Sequence, residues 1–261
     1  MNDLLSTVPQ VLRARGFRLY TQKRRLVDLW LNGGAAVMGH TPSNFLRELK
    51  NTASRGLYAP YPHFTEGRFL KALSKLLPGK HFRVYAAPPP ELTKLFADGT
   101  AKLWRPFHCA EPAANDMLQI PVVPGIQLWR DDLPYGLCVT AATSETLAEK
   151  LPAGDSISPV LLAVAARGIY DLIASPQRER PSLPRTFKAL KESTLWERHG
   201  IYLTLKEKPS QKTWAALFTQ FLEAGFLLPP VPTQPVILPG ELSQGEDAKL
   251  AEILIAKTTE I

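Results

Sequence analysis

Gly16-Phe17-Arg18-Leu19-Tyr20, Leu26-Val27-Asp28-Leu29-Trp30, Asn32-Gly33-Gly34 and Met38-Gly39-His40-Thr41-Pro42 follow one another closely near the start of the chain. Arg18-Leu19-Tyr20 and Leu26 through Trp30 are short β-prone runs. The polar, basic turn between them holds Lys23-Arg24-Arg25, and the whole predicts a hairpin. Asn32-Gly33-Gly34 breaks the second run, since glycine permits backbone conformations that end a strand. Thr41-Pro42-Ser43 is a helix-start signal, continued over residues 44–54 with Phe45, Leu46 and Leu49 on one face.

On the N-terminal side, Leu4, Leu5, Val8, Val11 and Leu12 have helical spacing interrupted by Pro9. On the C-terminal side, Phe69, Leu70, Leu73, Leu76 and Leu77 make a core-facing stripe that predicts a helix over 66–77, stopped by Pro78-Gly79. Residues 81–87 read as a strand, and Pro88-Pro89-Pro90 leads into a helix over 91–96. Leu103-Trp104 is a further strand. Residues 107–133 are broken by prolines and give no assignment. Residues 137–142 read as a buried strand, 144–150 as a short helix, and 159–173 as a helix apolar nearly all round. Residues 176–184 hold three prolines and three charges and read as a linker. A helix over 186–199, a strand over 201–205, a helix over 213–224 stopped by Gly225, a strand over 236–238 and a helix over 245–257 complete a small α/β module.

Composition narrows the function classes. The 261 residues are 45% hydrophobic and 21% charged, ordinary for a globular protein with a proper core. No run of eighteen apolar residues exists, so no membrane span is expected. The first ten residues lack the pattern of a secretory signal. Cys109 and Cys138 are too few for a disulfide scaffold and lack metal-ligand spacing, which makes a cytoplasmic protein the expectation. The net charge of +7 suits phosphates or acidic surfaces, but no nucleic-acid motif accompanies it, and Lys23-Arg24-Arg25 reads as a solvated turn. His40, His63, His81, His108 and His199 show no metal-binding spacing. His108-Cys109 reads as a loop pair without chemistry, Asp131-Asp132 as a solvated turn, and Lys150 as an exposed helix end.

The opening stretch resembles the entry segment of the class III aminotransferases, which are fold-type-I enzymes dependent on pyridoxal phosphate (PLP). There a hairpin ending in an aspartate, as at Asp28, precedes a Gly-His-x-Pro helix start, as at Gly39-His40-Thr41-Pro42. Glu66, Leu73, Leu77 and Pro78 fit the helix that follows. Phe221-Leu222-Glu223-Ala224-Gly225-Phe226-Leu227-Leu228-Pro229 and Gly245-Glu246-Asp247 are similar to the glutamate-1-semialdehyde aminomutase branch. Leu133-Pro134-Tyr135-Gly136 and Ser158-Pro159 resemble the segments after the cofactor lysine. The matches keep the family's order over about half the chain.

The departures concern the cofactor. The resemblance places the Schiff-base lysine seven residues before Pro134, where this chain has Gln127. It places the turn that cradles the cofactor phosphate at Pro88-Pro89-Pro90, and prolines have no N–H to donate. It requires an aspartate on the pyridine nitrogen, and the short segment between His108 and Pro134 offers no strand ending in Asp-Glu. The expectation is an α/β, reduced fold-type-I PLP-dependent transferase-like fold. A segment over 1–44 packs with the small domain, a shrunken large domain covers 45–180, and a small α/β domain covers 181–261. The expected function is that of an aminotransferase-like protein without PLP, binding an unknown protein or small molecule, and the resemblance implies a homodimer. The alternatives are a genuine PLP-dependent aminotransferase or aminomutase with an atypical site, and a basic interaction module for an acidic partner. Trp30, Asn32, Tyr58, Tyr61, Gln127 and Ser158 are the candidate residues of a residual pocket. No cofactor, metal, membrane or nucleic acid is expected.

Overall fold

The computed structural model describes residues 4–108, 117–130, 133–179 and 181–255. They fall into two compact units: one of Met1–Gly33, Val37–Thr41 and Gln177–Ile261, the other of Gly34–Ala36 and Pro42–Pro176. The first begins with three antiparallel strands, β1 (Val11–Arg15), β2 (Arg18–Thr21) and β3 (Arg25–Asp28). The helical spacing over residues 4–15 is overruled. Only Leu4–Thr7 forms a short 3-10 turn, and Val11–Arg15 pairs with β2 instead. Ladder pairing satisfies that backbone, which an isolated turn of helix beside Pro9 does not.

The second unit holds α1 (Ser43–Ala53), α2 (Thr65–Leu76), β4 (His81–Tyr85), α3 (Pro90–Ala97), β5 (Ala101–Trp104), β6 (Leu118–Pro121), β7 (Leu128–Arg130), β8 (Leu133–Tyr135), β9 (Cys138–Ala142), α4 (Glu145–Ala148) and α5 (Pro159–Ile173). Its main sheet has the order β4-β9-β6-β5, with β5 and β6 parallel and the other pairs antiparallel. β7 and β8 form a separate two-stranded ribbon, and β6 and β7 fall in the stretch that the prolines left unassigned. One core gathers Phe69, Leu73, Val139, Leu162, Ala165 and Ile169 from α2, β9 and α5, while a second gathers Tyr85, Leu92, Leu118, Ile120 and Leu147. α5 is buried on nearly every face, as its apolar run requires, with Pro159 in its first turn. Gly168 lets the helix approach the 122–125 segment closely, for a Cβ there would stand 2.6 Å from the Pro124 carbonyl oxygen.

The first unit resumes at Gln177, within a 3-10 turn over Pro176–Glu179, and continues with α6 (Pro184–Glu192), β10 (Trp196–His199), β11 (Tyr202–Leu205), α7 (Gln211–Ala224), β12 (Phe226–Leu227), β13 (Val236–Ile237) and α8 (Gln244–Ile255). β12 pairs in parallel with β3, Phe226 opposite Val27 and Leu227 opposite Asp28, so the two ends of the chain share one sheet in the order β1-β2-β3-β12. β10, β11 and β13 form the other sheet. The helix expected over 186–199 stops at Glu192, because Trp196–His199 pairs with β11 and Trp196 packs edge-on to Phe221 at 6.0 Å. Gly225, left-handed at φ 95°, ends α7 as expected.

Candidate functional site

β3 ends in Asp28, whose carboxylate organises the turn that follows. Asp28 is 2% exposed. Its Oδ1 accepts the N–H of Trp30 at 2.8 Å and of Leu31 at 2.9 Å, and its Oδ2 lies 2.8 Å from His40 Nε2. The chain then runs left-handed through Leu31 (φ 48°), Asn32 (φ 49°) and Gly33 (φ 65°). Left-handed backbone at a buried leucine costs about 1–2 kcal/mol, so the carboxylate holds strain in place. Trp30 is fixed in turn by its indole N–H, which donates to Oε1 of the buried Gln234 at 2.6 Å. The His40 N–H donates to the Gly16 carbonyl at 2.6 Å, and Gly39 fits there because a Cβ would crowd the Gly16 backbone at 3.1 Å. The local sequence pattern around Asp28 and His40 carries no signal for their pairing, which spans the turn between them.

The side chain of Arg178 crosses the same unit. Its Nε donates to the Val37 carbonyl at 2.8 Å and its Nη2 to the Leu238 carbonyl at 2.5 Å, and it stacks 5.0 Å from the Phe17 ring centroid. Burial lowers its pKa to about 10. The residues read as a linker therefore contain an internal tie, and nothing in the local pattern of prolines and charges marks Arg178 as buried.

In the second unit, Tyr58 and Tyr61 stand on the loop after α1, 66% and 58% exposed. Phe64, on the same loop, is 67% exposed. Ser158 precedes α5, and its hydroxyl donates to the Leu57 carbonyl at 3.4 Å, tying the start of that loop to the helix entrance. Gln127 is 2% exposed and lies just before β7. Of the six candidate residues, Trp30 and Asn32 thus share one turn of the first unit. Tyr58, Tyr61, Gln127 and Ser158 belong to the second, where Ser158 meets the tyrosine loop.

The positions that the resemblance assigns to PLP carry the wrong chemistry for it. Gln127 has no amine to form an imine. Lys150 is exposed beyond the end of α4, and among the described residues every lysine is exposed except Lys80, which is half-buried. In the turn after β4, Pro89 caps α3 and Pro90 is its first residue, so two of the donors at the helix start are missing. The Ala86 N–H donates to the carboxylate of Asp155 at 2.9 Å, and Glu91 stands in the first turn of α3. A phosphate here would meet acidic groups and prolines where it needs free N–H groups. Gly154 allows the Asp155 segment its approach, since a Cβ would stand 2.9 Å from the Val84 carbonyl oxygen. At the positions that the resemblance assigns, these residues supply neither the amine nor the free N–H groups that PLP requires.

Cys138 is buried in β9, and burial lifts its thiol to about 12, which leaves it unreactive. Cys109, Asp131 and Asp132 lie outside the described residues. Among the described residues no cluster of His, Cys, Asp or Glu is arranged to hold a metal, and no helix is long and apolar enough to cross a membrane.

No protein-family model matches the chain. It is 28% identical to an uncharacterized protein of Treponema pallidum (strain Nichols), over 91% of each chain. It is 24% identical to an uncharacterized protein of Borreliella burgdorferi, covering 93% of this chain and 89% of that one. Among solved structures, it superposes on a glutamate-1-semialdehyde aminomutase from Pseudomonas aeruginosa PAO1 with a TM-score of 0.64 and 12% identity, over 95% of this chain and 86% of that one. An ornithine aminotransferase from Plasmodium yoelii gives a TM-score of 0.62 at 13% identity, over 95% and 92%. A transaminase solved with PLP bound gives 0.62 at 13%, over 95% and 89%. The fold is aminotransferase-like. At these identities the likeness is one of fold alone.

Proposed function

We propose that this chain is an aminotransferase-like protein that has lost PLP catalysis and works as a homodimeric binding protein on a shortened version of the fold. The observation that carries the reading is Gln127. A buried glutamine occupies the position at which the resemblance calls for the cofactor lysine. An amide nitrogen is delocalised into its carbonyl and is neither basic nor nucleophilic enough to condense with an aldehyde. The prolines of the turn after β4 and the Asp155 carboxylate at the Ala86 N–H support the same reading from the phosphate side. The exposed Tyr58, Tyr61 and Phe64 support a surface that contacts a second copy.

Absorbance spectroscopy tests the proposal. Purified protein incubated with PLP, treated with borohydride and digested for mass spectrometry should show no aldimine band and no reduced adduct at a single lysine. Gln127→Lys alone should not restore amino transfer, because the phosphate position stays unfavourable. A stoichiometric adduct on one lysine of the wild-type chain, or amino transfer by it, would overturn the proposal in favour of an enzyme with an atypical site.

A further inference from the structure

The N-terminal strands carry a charge concentration that the fold leaves largely unused. Residues 4–27 contain six basic side chains and no acidic one, against a net charge of +7 for the whole chain. Arg18 and Arg25 are neutralised by Glu246, at 2.8 Å and 2.9 Å. Arg13, Arg15, Lys23 and Arg24 are exposed, and among the described residues no carboxylate pairs with them. These cations surround an open backbone. β1 pairs with β2 on one side, and no described strand covers its other side. Its side chains are exposed at all but Ala14, including Val11 at 41% and Leu12 at 61%.

We infer that the free edge of β1 is a docking site for an extended acidic segment of a partner protein, which adds to the sheet as a strand. Arg13 and Arg15 are two residues apart and pair with Tyr20 and Arg18 in register, so they stand on one face of the sheet. Carboxylates at alternate positions of an added strand meet them, while the backbone groups of β1 supply hydrogen bonds. The Arg13 guanidinium lies 4.3 Å from the Tyr20 ring centroid of β2, which keeps it on that face of the sheet. The same charges select the occupant. A second copy pairing β1 with β1 sets arginine against arginine, which is how natural edges are kept from self-association. A nucleic acid finds no free ring for stacking on β1 or β2, since Phe17 between them is buried and Tyr20 is covered by Arg13. The inference stands whether or not the molecule retains any catalysis.

The probe is a fluorescein-labelled seven-residue peptide that alternates Asp or Glu with Val, titrated with the full-length protein at low salt and followed by anisotropy. Saturable binding is expected, at least tenfold weaker for R13Q/R15Q and within threefold of wild type for R13K/R15K. A peptide of the same charge with its central valines replaced by proline should bind at least tenfold more weakly to the wild-type protein, because it cannot form the ladder. Amide exchange over residues 11–15 should slow in the complex. Equal binding of the proline peptide, tighter binding of an oligothymidylate than of the peptide, or no binding up to millimolar peptide would each overturn the inference. The proline comparison needs no variant protein, so it decides even if R13Q/R15Q fails to fold.

Discussion

Asp28 shows how much one carboxylate can organise. Three donors converge on it: the N–H groups of Trp30 and Leu31 and the ring of His40. Each buried group left without its partner costs about 1–3 kcal/mol, and the left-handed residues beyond add strain that the network must hold. Asp28→Ala should therefore lower unfolding stability by about 3 kcal/mol or more. Asp28→Asn should cost only about 1 kcal/mol, because the amide oxygen still accepts from the backbone and its NH2 can donate to a neutral His40. Urea titration of both variants checks the contrast. Equal losses for the two would mean that charge, not acceptor geometry, holds the turn. Asp28 was legible in the sequence as the end of a hairpin, but its pairing with His40 was not. The pair forms only when the chain has turned back on itself through the left-handed run from Leu31 to Gly34 and again at Gly39, and no side-chain periodicity reports that path.

Helix ends carry the next level of specification, and the last helix carries two caps. Ser243 and Glu246 form a reciprocal capping box on α8: the Ser243 N–H donates to Glu246 Oε2 at 2.8 Å, and the Glu246 N–H to the Ser243 hydroxyl at 3.3 Å. Asp247 caps a different helix, accepting the N–H groups of Arg185 and Thr186 in the first turn of α6, each at 3.0 Å. Burial pushes the Glu246 carboxyl upward, but Arg18 and Ser243 together outweigh it and hold it at about 2. A carboxyl lowered in the folded state gives stability that is complete above its unfolded value of 4.5 and lost as pH falls from there toward about 2. The shift corresponds to at most about 3 kcal/mol, and solvent screening brings the expected contribution to about 2 kcal/mol. Glu246→Gln should be destabilised by that amount at pH 7, and the difference from wild type should shrink to near zero by about pH 2. A difference that persists unchanged at low pH would place the effect in packing instead. The elements that the sequence revealed most fully are those with self-contained signals. α5 is apolar on nearly every face behind a first-turn proline, and α7 ends in a left-handed glycine. The misread elements are those whose partners are remote. Val11–Arg15 is a strand because β2 lies beside it, and α6 gives way at Ser193 because β11 takes up Trp196–His199. The Asp247 cap spans 61 residues, beyond the reach of any local rule.

Across the whole molecule, the exposed loop after α1 sets the expected assembly. Tyr58, Tyr61 and Phe64 are each more than half exposed, while Ser158 anchors the start of their loop and the His63 ring meets Phe64 at a tilt, with a centroid distance of 4.2 Å. Three exposed aromatic rings on so short a segment, held by fixed contacts, form an apolar surface of the kind that marks an interface. The aromatic and proline content of residues 57–64 was visible in the sequence, whereas the exposure of the rings required the fold. A two-fold dimer uses the same patch on both copies, so every substitution there acts twice. Burying a fully exposed large aromatic side chain contributes about 1.5–3 kcal/mol, so three rings about two-thirds exposed, doubled by symmetry, supply roughly 5–11 kcal/mol toward the cost of association and the roughly 8 kcal/mol of a micromolar dimer, and the surface around them supplies the rest. The wild-type protein should therefore sediment as a dimer at about 10 μM. Tyr58→Ser, Tyr61→Ser and Phe64→Ser combined should sediment as a monomer, with unchanged circular dichroism because none of the three rings is a core residue. A wild-type monomer at that concentration would remove the homodimer from the proposed function. A triple variant that remains dimeric would move the interface to another face.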